Sequence, residues 1–409
     1  MNTSPSPLVS DSTLNDCLSA PEPRPKLKLI ALGALGVSLV ALLGGAAWLL
    51  HLIWWTVPFL RETNLLVWLV ATALAVSITV LLAGLNFRRA WRRSQARTAP
   101  VWAVLAVAIA LGGLLWHRSD VALHEFLPRV VTLDLPSLPG PVPTYHDRGA
   151  KERAERLQAD LREMNGFYQE KLGVQVAVHL AVLHSNQWTR VNPFPFGLPG
   201  VLGEPPVVFA PAHSGGWAFH QMLGRKAAIP ANVWQDYLRA TQKTFEAASD
   251  DFVDFIALHE LGHVLCIHYG IDPSCNWLNE FLASYFGYAF LAERRPERKP
   301  VIALFGRPSP TRPKHTTLAD FERLYFLVED YGWYQGMFEQ RIQEMYPQAG
   351  LQFLKDLKRV LPRTVAIPDG VAIPDPVLTR IPPEVVVEKL ESVAPGFRAW
   401  AAGFEKQNR

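Results

Sequence analysis

The chain has 409 residues, enough for two or three domains at roughly 150 residues each. Its formal charge of +3 is near balance and excludes the broad basic surface of a nucleic-acid binder. Hydrophobic residues make up 49 % of the chain but are spread unevenly, and that unevenness decides the expected class.

Residues 1–28 read as a polar, Pro-rich cytoplasmic tail. It is not a cleavable signal, because the apolar run that follows is too long for a signal core. Leu29–Leu50 and Leu65–Leu85 carry no charged residue and match a bilayer core of about 30 Å. Pro100–Trp116 is shorter but also uncharged, so a three-helix transmembrane region is predicted over 29–116. Basic loops stay on the cytoplasmic side. Arg24, Lys26 and Lys28 precede the first run, and Arg88, Arg89, Arg92, Arg93 and Arg97 follow the second. The loop between them has only Arg61, offset by Glu62. The expected location is therefore the inner (plasma) membrane, multi-pass, with the lipid bilayer as a partner. Everything after Trp116 is expected on the periplasmic or extracellular side.

Residues 117–148 read as a linker, since Pro128, Pro136, Pro139, Pro141 and Pro143 forbid a continuous helix. A catalytic domain is expected over 149–295 and a mainly helical part over 296–409. Ala154, Leu157, Leu161, Met164, Tyr168 and Leu172 recur at helical spacing, and Gly173 ends that helix. Val174, Val176, Val178, Leu180 and Val182 alternate as in a strand, and a second strand is expected near Val207–Ala210. Gly215–Ala218 and Lys226–Ile229 read as short strands of the same sheet.

The next helix is expected to start near Ser249 or Asp250 and run to about Tyr269, where Gly270 and Pro273 break it. Another starts near Asn276. A Pro-rich interruption over 362–383 contains two Val-Ala-Ile-Pro-Asp copies, and a final helix is expected over about Pro383–Phe404.

The chemistry lies in His259-Glu260-Leu261-Gly262-His263. On a helix, residues four apart leave the same face, so both imidazoles can hold one metal ion. Glu260 then stands beside that ion, where a carboxylate can take a proton from water. A catalytic zinc site needs three protein ligands and an open fourth position. Glu280, in the first turn of the following helix, is the candidate third ligand; the alternative is a solvated helix-start carboxylate favoured by the dipole. One Zn²⁺ per chain is expected.

His259-Glu-Leu-Gly-His263 followed by Trp277-Leu-Asn-Glu-Phe-Leu-Ala-Ser-Tyr285 resembles the gluzincin metallopeptidases, and locally most resembles the aminopeptidase N family. The resemblance implies that His259, His263 and Glu280 are ligands and Glu260 the catalytic base. It also implies a tyrosine hydroxyl for the oxyanion, for which Tyr334 is the first choice and Tyr331 the second; either could instead be a core-edge aromatic. An edge strand beside the metal helix, pairing with substrate backbone, is implied as well. Gly215–Ala218 and Lys226–Ile229 are both candidates, and a plain hairpin is the alternative.

The chain departs from the family in three ways. Sixteen residues separate His263 from Glu280, where the family has about 18. The Gly-x-Met-Glu-Asn motif that captures a free amino terminus is absent. Ser284 stands where the family places a carboxylate that orients a histidine.

The expected fold is thus an α-helical transmembrane region of three spans, then an α+β zincin-like domain with a helical C-terminal part. The expected function is a membrane-anchored zinc peptidase acting on peptides or proteins, with no nucleic-acid partner. The alternatives are an inactive zincin-like receptor or scaffold, and a membrane-embedded protease, which Asp254, His259, Glu260, His263 and His268 disfavour in a lipid-facing span. Cys266 and Cys275 are expected to form a disulfide tying the two motif helices together, with a buried free pair as the alternative. His213, His220, His268 and His315 read as surface or structural residues.

Overall fold

Every residue of Val207–Pro211 is buried, which places this strand inside a sheet covered on both faces. The computed structural model describes residues 126–192, 194–273, 275–306, 314–325, 331–363 and 381–406. They open with helix α1 (Phe126–Val131), strand β1 (Ser137–Leu138), strand β2 (Thr144–His146) and the long helix α2 (Lys151–Leu172). Strand β3 (His179–Leu183), helix α3 (Ser185–Val191), strand β4 (Gly200–Leu202) and strand β5 (Val207–Pro211) follow. Helices α4 (Trp217–Gly224) and α5 (Ala231–Thr241) lead into α6 (Phe245–Tyr269) and α7 (Asn276–Arg294). The remainder comprises α8 (Lys299–Phe305), α9 (Leu318–Leu324), α10 (Tyr331–Ala349), α11 (Gln352–Val360), α12 (Pro383–Val393) and α13 (Phe397–Lys406).

The sheet has the order β1-β2-β3-β5-β4. β2, β3 and β5 run parallel, while β1 and β4 are antiparallel edges. Successive side chains alternate between faces. Leu180, Val182, Val208 and Ala210 join the main core with α2, α6 and α7, whereas Ala181, Leu183, Val207 and Phe209 join a second cluster with Phe126, Val130 and Trp188. The sheet therefore separates two cores, and its main-core face supports α6, against which both β4 and β5 pack.

Several elements differ from their sequence expectations. Val174, Val176 and Val178 do face the main core, but the ladder starts only at His179. The Asn165 side chain occupies the backbone of Val176 instead, donating to its carbonyl at 2.7 Å and accepting from its amide at 3.0 Å. Gly215–Ala218 is not a strand: Gly215 has φ 103° and α4 begins at Trp217, whose amide donates to the Phe196 carbonyl. Lys226–Ala228 is a 3₁₀ turn. The edge strand beside α6 is β4. α6 starts four residues early because Thr244 caps it, its hydroxyl accepting from the Ala247 amide. Residues 126–148, read as linker, carry α1, β1 and β2. The expected last helix is two, separated at Pro395 and Gly396, the latter at φ 98°. The two Val-Ala-Ile-Pro-Asp copies lie outside the described residues.

The membrane expectation is corrected. Among the described residues no helix is long and apolar enough to cross a membrane. The longest, α6, carries Glu246, Asp250, Asp251, Asp254 and Glu260, and its apolar face is buried against other protein. The described chain is mostly helical with one small mixed sheet. The three-span fold class, the multi-pass inner-membrane location and the periplasmic or extracellular placement that followed from it are withdrawn. Residues 29–50, 65–85 and 100–116, on which that expectation rested, lie outside the described residues.

The disulfide expectation is also corrected. Cys266 and Cys275 are free, buried thiols. Burial in the main core pushes both well above the ordinary thiol value, which leaves them inert.

Candidate metal centre

Three devices position α6 and α7. Arg153 of α2 donates to Asp254 at 2.5 Å, both side chains buried, which anchors α6 five residues before His259. Burial raises the Asp254 carboxyl above its usual value, and the Arg153 charge pulls it back down. Gly262 provides the second device. A Cβ there would stand 2.4 Å from the Ala283 carbonyl oxygen, so only glycine lets the two helices approach this closely. The third lies at the start of α7, where Cys275 provides no side-chain cap; Glu322 of α9 accepts from the Trp277 amide at 2.7 Å instead. A carboxylate at that helix start meets both the open amides and the dipole.

These contacts bring His259, His263 and Glu280 together. The imidazoles leave successive turns of α6 with ring centroids 4.8 Å apart and planes at 87°. One Glu280 oxygen is 3.3 Å from His259 Nε2, and the other is 3.8 Å from His263 Nε2. Two ligand atoms about 2.1 Å from one tetrahedral ion are about 3.4 Å apart. A charge-assisted hydrogen bond between imidazolium and carboxylate would instead be about 2.7–2.9 Å. The three groups thus converge at ligand spacing rather than at bonding contact. All three are buried, Glu280 to 3 % exposure.

Electrostatics favours the ligating forms. Burial holds His263 down to about 4, so it is neutral near pH 7. For Glu280, burial raises the carboxyl but is outweighed by His263, His259 and the Tyr325 hydroxyl, leaving it below the usual carboxylate range. Tyr325 donates to one Glu280 oxygen at 2.5 Å. Tyr331 and Gln335 each donate to the other at 2.8 Å. Such donors satisfy the lone pairs that a single ion would leave exposed.

The outer nitrogens of both histidines are engaged. His263 Nδ1 lies 3.2 Å from Asn279 Oδ1, and His259 Nδ1 lies 3.0 Å from Ser284 Oγ. With Nδ1 occupied, each Nε2 is presented to the shared point. The residues fit a zinc ion: two imidazole nitrogens and one carboxylate, oriented from behind. Glu260 is half-buried, and its carboxylate lies with the His259 and His263 nitrogens in a group no more than 4.8 Å across. That is within reach of a water bound at the same point.

The two tyrosines named from the sequence separate. Tyr331 has its hydroxyl on Glu280, whereas Tyr334 is fully buried and donates to the Thr317 carbonyl at 2.9 Å. Burial, with the Glu280 charge behind it, pushes Tyr331 well above the ordinary phenol value and keeps it a donor. His213, His220 and His268 are exposed. Three residues that touch the site lack a sequence expectation. Asn279 stood inside the quoted motif, and Gln335 follows Tyr331 by one helical turn, a relation that periodicity could have revealed. Tyr325 has no spacing signal at all. Comparison of the chain with family models, curated proteins and solved structures returns no significant match.

Proposed function

We propose that the chain is a zinc-dependent peptidase that hydrolyses peptide bonds in peptides or proteins. The observation that carries this reading is the convergence of His259, His263 and Glu280 from two helices, with Glu260 beside them. A zinc ion held there would lower the pKa of water to near neutrality and polarise a substrate carbonyl.

The rest of the chemistry falls to the chain. Glu260 accepts the proton from the attacking water and passes it to the departing amine, a general base turned general acid. Tyr331 is the better placed second donor to the developing oxyanion, since its hydroxyl is at the centre and need only turn its proton from Glu280 to the oxyanion, whereas that of Tyr334 lies on the Thr317 carbonyl. β4 is an antiparallel edge strand packed on α6, which suits it to align an extended substrate segment. The missing amino-terminal capture motif favours an endopeptidase over an aminopeptidase.

The test is a peptide-library digest by the zinc-loaded full chain beside Glu260→Gln. Cleavage by the parent and its loss in the variant, with zinc retained, supports the reading. Equal cleavage by both contradicts it.

A further inference from the structure

Tyr331 is the first residue of α10, and helix ends fray. A donor to an oxyanion has to be held in place before the charge develops. The Tyr331 ring is stacked on Phe321 of α9, with centroids 5.8 Å apart and planes at 22°. Stacking sets the plane of the ring; the hydroxyl needs a polar partner.

Gln335 supplies that partner. It lies one turn further along α10, so both side chains leave the same face. Its Nε2 donates to the Tyr331 hydroxyl oxygen at 2.9 Å and to a Glu280 oxygen at 2.8 Å. Tyr331 donates to that same Glu280 oxygen at 2.8 Å, which closes a triangle of three polar atoms. The carboxylate fixes which way the Gln335 amide faces, since the amide oxygen in that place would meet another oxygen. An amide nitrogen has two hydrogens and accepts nothing, so it donates to both neighbours. The Tyr331 oxygen is therefore an acceptor toward Gln335, and its own proton is left for Glu280 or for a substrate oxyanion. When that proton turns to the oxyanion, Glu280 keeps Gln335 as a donor and Tyr331 keeps its anchor.

We infer that Gln335 is a positioning residue for the proposed hydrolysis: its amide holds the Tyr331 oxygen beside Glu280 and stays bonded to both while the phenol O–H turns to the oxyanion. This rests on the peptidase reading above, with Tyr331 as the oxyanion donor. Gln335 acts on the reaction through Tyr331. Without the amide, turning the O–H away from Glu280 breaks the bond that ties the hydroxyl to α7.

The experiment uses the zinc-loaded full chain as parent, Tyr331→Phe, Gln335→Met and the double variant, with Gln335→Leu as a substitute should the methionine variant not fold. Steady-state kinetics are measured at saturating zinc on a peptide that the parent cleaves. The ¹³Cζ signal of Tyr331 is followed by NMR in tyrosine-labelled protein and assigned by its loss in Tyr331→Phe. Gln335→Met is expected to lower kcat about 10-fold with KM within about twofold, and to lower kcat no further in the Tyr331→Phe background. The Tyr331 signal should move in Gln335→Met, while that of Tyr168, whose hydroxyl donates to the Phe286 carbonyl, stays in place. A kcat within about twofold of the parent, an equal loss in both backgrounds, or an unmoved Tyr331 signal would overturn the assignment. A parent that cleaves no peptide sinks the peptidase reading, while the Tyr331 signal still decides whether Gln335 holds that hydroxyl.

Discussion

Gly262 and Ala283 are in such close contact that a methyl group on the glycine would meet the Ala283 carbonyl oxygen at 2.4 Å. Across this contact the histidines of α6 face Glu280 of α7. Gly262→Ala must therefore push the helices apart or distort both. Overpacking of this kind costs about 1–3 kcal/mol. The variant is expected to lose about that much stability in urea unfolding. It should also bind zinc at least 10-fold more weakly, since metal-centre geometry of this kind tolerates little displacement. Normal zinc affinity would show that the helix spacing is not what sets the ligand geometry.

Arg153 and Asp254 form the buried ion pair that anchors α6 to α2. Removing Arg153 leaves the buried Asp254 with only the more distant Arg156, 3.9 Å away, among the described residues. Arg153→Ala is expected to cost about 3–5 kcal/mol of unfolding free energy, read from denaturant midpoints at constant slope. A loss below about 1 kcal/mol would mean that the pair is solvated like a surface bridge.

Glu339 gives a pH dependence with a definite sign. Burial raises its carboxyl from an ordinary 4.5 to about 8, with the Ser284 hydroxyl opposing. Between those values the unfolded chain has released the proton that the folded chain keeps, so folding is progressively disfavoured as pH rises from about 4.5 through about 8. Glu339→Gln removes this titration. In the metal-free protein it should be more stable than the parent at pH 8, on the order of a few kcal/mol, with the gap closing toward pH 4.5. Thermal or urea unfolding across that range is the measurement, and a gap that does not change with pH would refute the burial argument.

Tyr331→Phe and Tyr334→Phe should differ in kind. The first removes a hydroxyl at the centre and is expected to lower kcat on peptide substrate about 100-fold or more. The second removes one hydrogen bond to the partly buried Thr317 carbonyl, which keeps the Phe321 amide as donor, costing about 1 kcal/mol of stability while kcat stays within a few-fold. Reversed effects in steady-state assays would return the oxyanion role to Tyr334.

How much of this was legible in the sequence depended on the range of the contact. The α6 and α7 residues stood out because helical spacing and a short turn fix their relation locally. The limits of α2 and the start of α7 were readable from Gly173 and Asn276. The ladder start at His179 was not, because the side chain of Asn165, 11 residues back on α2, takes the Val176 backbone. Gly215 and Gly216 read as strand, but Gly216 serves a close backbone crossing with Gly197 and Gly215 takes a positive φ of 103° beside it. Tyr325 was invisible because its partner on α7, Glu280, is 45 residues away with no periodic relation to it. Hydropathy alone led to the membrane spans, and no helix among the described residues supports them.

The central claim is that His259, His263 and Glu280 together hold one zinc ion. Equilibrium dialysis of the full chain against buffered Zn²⁺, beside His263→Ala and Glu280→Ala, tests it most directly. One tightly held zinc per parent chain, with the affinity falling steeply in both variants, is the expected result. A parent that takes up no zinc, or a Glu280→Ala chain that binds it as tightly as the parent, would contradict the account.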